Sequence, residues 1–242
     1  ANTTGTDNVA VGFNALGANT TGANNTAVGK DALLVAPIGT GNTAIGYAAM
    51  DAATTAVDNV AVGINALGAS TIGLRNVAIG KAALLVSTTG TDNVAIGSDA
   101  LNAATTAVEN VAIGTDALGA CTVGTGNIAI GDDACLALTT ATNCIAVGRD
   151  ALLGVTTGVN NIAIGDAAGS TITTGTGNIV VGNASAVSAV GAVDQIILGR
   201  GVTGIANSAI TLGNGTRAIT CNYDADQTWD APSDLRMKNV LG

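Results

Sequence analysis

The stretch Asn110-Val-Ala-Ile-Gly114 decides the fold, because it returns along the chain with almost no drift. It stands as NVAVG at Asn8–Gly12, NTAVG at Asn25–Gly29, NTAIG at Asn42–Gly46 and NVAVG at Asn59–Gly63. It continues from Asn76, Asn93, Asn110 and Asn127, then as CIAVG from Cys144, NIAIG from Asn161, NIVVG from Asn178 and QIILG from Gln195. The closing glycines run from Gly12 to Gly199, each seventeen residues after the last. A fixed short period built on a strand-like core specifies stacked repeats. The chain therefore reads as all-β, a parallel β-solenoid or β-roll of about twelve 17-residue coils, with a non-repeating C-terminal cap.

Composition agrees. Of 242 residues only 10% are charged and 2% aromatic, so no thick aromatic core is available and stability must come from many similar thin layers. Net charge is −9, with thirteen acids against Lys30, Arg75, Lys81 and Arg149 between Ala1 and Gly199. An acidic rod repels phosphate backbones and anionic lipid, which makes nucleic acid and membrane poor partners. No apolar run reaches the roughly 18 residues of a membrane span. The chain has no initiating Met and no basic segment leading into an apolar one, and so reads as a fragment or a processed product.

One unit reads T-T-G-x-D/N-N-V-A-V-G-x-D/N-A-L-x-x-x. Side chains alternate across a strand, so the β-branched pair (Val111 and Ile113, for example) points one way and the alanine between them the other. We expect the branched face to fill the coil and the column from Ala10 to Ala163 to face a neighbouring copy. A tight interior filled by alanine is the competing reading. The glycine permits a sharp turn, and the column of Leu16, Leu33, Met50, Leu67, Leu84, Leu101, Leu118 and Leu152 closes the coil as a second apolar ladder. Thr pairs such as Thr88-Thr89 sit in the connecting arc, where hydroxyls bond the backbone or one another. In-register stacking lets identical Asn side chains hydrogen-bond along their column. Twelve coils about 4.8 Å apart give a rod of roughly 55–60 Å. A longer repeat lies over the short one: Gly17–Leu67, Gly68–Leu118 and Gly119–Gly169 are three-coil blocks, the mark of growth by duplication.

These N-[VTI]-A-[VI]-G units, from Ala1 to about Gly199, resemble the head repeats of trimeric autotransporter adhesins. They look still more like the TTGxxNTAIGxxAL repeats of phage tail-fibre and related virion proteins. The resemblance implies a homotrimer, a structural role in host attachment, and location on a virion or, alternatively, on a bacterial surface. Its implied partners are the chain itself and a host cell-surface receptor, glycan or protein. The seventeen-residue period is longer than the usual adhesin-head unit.

After Gly199 the next similar stretch, Ser208–Gly213, ends fourteen residues later and the pattern stops. We divide the chain into the rod, 1–199, an irregular β cap or neck, 200–232, and a junction, 233–242. Ala231–Leu241 resembles the SDxRLKxNI start of the intramolecular chaperone domain of phage tail fibres and endosialidases, with Met237 where that family has Leu. The resemblance implies self-cleavage at Ser233–Asp234, with Ser233 as nucleophile and Lys238 assisting. A plain polar tail is the alternative.

In the repeats no enzyme is expected: there is no His, and the glycines follow strands without a succeeding helix. The site-like constellation is the column of Asp99, Asp116, Asp133 and Asp150. Stacked carboxylates repel unless solvated or bridged by a cation, so they form either a solvated turn ladder or a weak Ca²⁺ site. No other cofactor is implied. The four cysteines, at unrelated phases of the repeat, read as small buried hydrophobes. An ice-binding solenoid is a remote alternative, since adjacent Thr point to opposite faces and should form no flat Thr-x-Thr array.

Overall fold

The computed structural model describes residues 2–36 and 38–223. Eleven three-residue strands, from β1 (Val9–Val11) to β11 (Ile179–Val181), are followed by β12 (Ile196–Arg200), β13 (Ala209–Asn214) and β14 (Arg217–Asn222). They form one fourteen-stranded sheet in sequence order, and no helix occurs among the described residues. From β1 to β12 every pairing is parallel and shifted by one unit, as in Val94↔Val111, Ala95↔Ala112 and Ile96↔Ile113. This is a β-solenoid of about twelve turns. A second ladder of single parallel bridges links Thr40, Val57, Leu74, Thr91, Val108, Thr125 and Thr142.

The solenoid sheet continues past Gly199, because β13 pairs with β12 in parallel, Gly199 opposite Gly213, across a shorter fourteen-residue coil. Then the direction reverses. β14 runs antiparallel to β13 after the two-residue turn Gly215-Thr216, whose first residue alone has positive φ, the pattern of a type II′ hairpin.

The two faces of the strands are the reverse of the expectation. Ala27, Ala44, Ala61 and every strand alanine through Ala163 have no solvent-accessible surface, while the branched residues on either side are half-buried or exposed. The cause is the thinness of the coil. Gly169 occupies the leucine column, and a Cβ there would lie 3.5 Å from Ala163 Cβ on the opposite wall. With leucine reaching across from one wall, only a methyl group fits on the other. The columns trade volume: where the leucine column gives way to Gly169 and Ala186, the alanine column takes Val180 and Ile197. Both of those are buried completely. Close packing of this kind responds to a single methylene.

The asparagine column behaves as expected. Asn110 Nδ2 donates to Asn93 Oδ1 at 3.1 Å and to the Gly124 carbonyl at 2.8 Å, and Asn110 Oδ1 accepts the backbone N–H of Asn127 at 3.0 Å. The same pattern joins Asn25, Asn42, Asn59, Asn76 and Asn93, all fully buried. Each amide thus satisfies buried backbone groups that no strand partner reaches. The first Thr of each pair donates to the next coil, Thr88 Oγ1 to Thr105 O at 3.2 Å and Thr105 Oγ1 to Thr122 O at 3.2 Å. The strand-ending glycine is dictated by both conformation and space, since Gly114 has φ +136° and a Cβ there would collide with the Gly131 carbonyl. The three-coil block has a packing basis as well. Gly17, Gly68 and Gly119 lie beneath Leu34, Leu85 and Leu136, whose Cδ1 atoms would stand 3.0–3.3 Å from an added Cβ.

Candidate self-association face

The inversion of the strands moves the candidate contact surface from the alanines to the branched residues. Val94 and Ile96, Val111 and Ile113, Ile128 and Ile130, and their equivalents form two parallel columns on one sheet face. Ile79, Ile130 and Ile164 are 39%, 38% and 44% exposed. At about 4.8 Å per strand the columns run for roughly 50 Å. Single exposed aliphatics are ordinary on a protein surface, but a long ribbon of them, here broken only by Thr26 and Thr43, is a candidate contact surface. No charged residue stands in either column from Val9 to Leu198.

The acidic column sits at a left-handed backbone position, which Ala48, Ala82 and Ala167 occupy in other coils. Asp99, Asp116, Asp133 and Asp150 all have φ between 53° and 59°, the left-handed region that Asn and Asp tolerate better than most residues. Their backbone N–H groups donate to the preceding coil, Asp116 to Ser98 O and Asp133 to Thr115 O, each at 3.0 Å. Asp99 Oδ2 accepts from Ser98 Oγ at 2.8 Å, and Asp150 lies 3.3 Å from Arg149. Desolvation, followed by the neighbouring Asp132, Asp116 and Asp150, pushes the Asp133 carboxyl above its ordinary value. Among the described residues no group of three or more acids, cysteines or histidines comes together in a way that could hold a metal ion. Ser233, Asp234 and Lys238 lie outside the described residues.

Elsewhere on the surface, charge is handled in pairs between coils. Arg75 makes a two-pronged contact with Asp92 at 2.7 Å, and that hydrogen bond holds the Asp92 carboxyl below the usual range. Arg149 reaches Asp166 at 2.9 Å. The exposed positions of both pairs make them minor for stability. The second Thr of each pair faces out. With Gly90, Ala141 and Gly175 turned inward, Thr89/Thr91, Thr140/Thr142 and Thr174/Thr176 stand as isolated Thr-x-Thr pairs, none of them in neighbouring coils. Ile72/Leu74, Thr106/Val108 and Val123/Thr125 interrupt them.

Phase arithmetic on the sequence would have found a further surface feature. Phe13 and Tyr47 share one outward column two coils apart, in the position after the strand-ending glycine. No family model, curated protein or solved structure matches the chain.

Proposed function

We propose that this chain is a structural shaft or head segment of a virion fibre, assembled as a parallel homotrimer and serving in host attachment. The observation that carries this reading is the outward Val/Ile ribbon, which runs the length of the coils without a charged residue. A lone rod in water gains nothing from two columns of half-exposed Val and Ile, broken only by Thr26 and Thr43, whereas cyclic assembly turns the same face of each copy toward a shared axis. Parallel packing keeps the coils of three copies level, so the apolar columns meet along their whole length. The resemblance of the N-[VTI]-A-[VI]-G units to trimeric fibre and adhesin repeats supports the same reading. Rigidity suits the role, because every coil is tied to the next by the strand ladder, the asparagine column and the threonine hydroxyls.

The location is tested by immunogold electron microscopy of virus particles that encode the chain. Antibodies raised against the purified coils are expected to decorate a tail appendage. Particles that carry the chain in a different structure, or not at all, contradict the proposal.

A further inference from the structure

Residues 1–199 contain only two aromatic side chains, Phe13 and Tyr47, and both fall in the same outward column. Lys30 stands between them, and its ammonium lies 5.3 Å from the centre of the Tyr47 ring. Ile64 extends the column by one coil. Phe13, Tyr47 and Ile64 are 69%, 49% and 51% exposed. The column then turns polar, with Lys81, Ser98, Thr115 and Asp132. The result is a track about 14 Å long over four coils, with the backbones of its two aromatic residues about 9.5 Å apart on a regular ladder.

A polar row runs beside this track. Asn14 donates to Asp31 Oδ1 at 3.1 Å, Lys30 Nζ lies 3.4 Å from Asp31 Oδ2, and Asn65 holds the same row two coils on. Apolar platforms flanked by the exposed Asn14 amide and Lys30 ammonium, with the half-buried Asp31 and Asn65 beside them, suit a pyranose chain. The rings cover the C–H faces of the sugars and the polar row exchanges hydrogen bonds with their hydroxyls. The two-coil backbone spacing of Phe13 and Tyr47 is comparable to the disaccharide advance of an extended polysaccharide.

Charge selects among glycans. Residues 1–86 carry four acids and three bases, whereas residues 87–199 carry nine acids and only Arg149. The track lies in the near-neutral part of a strongly acidic chain, a setting that admits an uncharged polymer and disfavours a polyanion.

We propose that the Phe13–Lys30–Tyr47–Ile64 column, with Asn14, Asp31 and Asn65 beside it, is a binding track for an extended neutral glycan. This deepens the host-attachment reading and rests on it for its biological purpose, though the binding itself does not require a fibre.

The test is calorimetric titration of the full chain with cellohexaose and chitohexaose, with hyaluronan hexasaccharide as the anionic comparison. At least one neutral hexasaccharide is expected to bind and the anionic one to bind more weakly. Phe13→Ala and Tyr47→Ala are each expected to weaken binding about tenfold or more. Tyr47→Trp should preserve binding, and Asp116→Asn, outside the track, should leave it unchanged. Circular dichroism on the same samples confirms that the variants are folded. No binding by the folded chain, binding indifferent to both aromatic truncations, or preference for the anionic sugar would each overturn the proposal. Light-scattering mass on those samples separates the two readings. A monomer that binds cellohexaose removes the trimer and keeps the track, and a trimer that binds neither neutral sugar does the reverse.

Discussion

Asn127 Oδ1 accepts the backbone N–H of Cys144 at 3.0 Å, and there the buried amide ladder stops. Cys144 donates its thiol to the Gly158 carbonyl at 3.2 Å but offers Asn161 only sulfur, a weak acceptor, where other coils offer an amide oxygen. Asn161 resumes the ladder toward Asn178. Cys144→Asn should therefore close the gap and raise stability by about 1 kcal/mol. A thermal melt of the variant checks this, and a lower melting temperature would contradict it.

Ser70 and Ser87 hold buried hydroxyls with no hydrogen-bond partner, in an interior column where Ala53 and Ala104 also sit. The smaller residue already fits this column. Ser70→Ala and Ser87→Ala should each stabilise the rod, by about 1 kcal/mol, by removing an unsatisfied polar group. Chemical denaturation monitored by circular dichroism measures the effect, and destabilisation by either change would contradict it.

Asp133 gives a pH signature. Its carboxyl titrates above the ordinary value in the folded chain, so folding favours its protonated form. The resulting penalty is absent below the unfolded-state value, grows as pH rises, and is fully present above the folded value. Asp133→Asn keeps a residue suited to the left-handed backbone and removes the charge. It should stabilise the chain at neutral pH by about half a kcal/mol or less. The gain should vanish near about pH 3. Melting curves at the two pH values test this, and an equal gain at both would contradict it.

Burial pushes the Cys121 thiol up to about 11, and drives Cys135 and Cys144 upward as well. All three side chains are enclosed in the core. Thiol-specific reagents at mildly alkaline pH should label none of them until the coils open, and mass spectrometry of the labelled peptides reads this out. Rapid labelling of Cys135 in the folded chain would contradict its enclosure.

The period, the strands and the leucine ladder were legible because they depend on spacing alone. The asparagine column was legible too, since Asn93, Asn110 and Asn127 must lie in register once the unit repeats. Alternation of Val111, Ala112 and Ile113 defined two faces but not which is inside. That choice depends on the distance between walls, a property of the closed coil. A clue did exist in the joint change at Gly169 and Val180, where one column shrinks and the other grows. The left-handed backbone at Leu118, with φ 54°, had no sequence signal, since leucine is not a residue that favours it. The left-handed backbone at Asp116 and its column was equally hidden, because Ala48, Ala82 and Ala167 take the same conformation in that column.

The outward placement of Ile113 and the inward placement of Ala112 reverse the roles that alternation first suggested. Ala112→Leu should overpack a closed core, at a cost of about 1–3 kcal/mol or more, whatever the chain's assembly state. Ile113→Asp should leave the coil folded and act on association.

The most direct measurement is the light-scattering mass of the wild-type chain beside an Ile96→Asp/Ile113→Asp/Ile130→Asp variant, with circular dichroism on both. The expected result is a wild-type species at about three times 23.2 kDa and a folded, β-rich variant near 23.2 kDa. A folded wild-type chain near 23.2 kDa, or a variant that keeps the wild-type mass, would contradict assembly through this face.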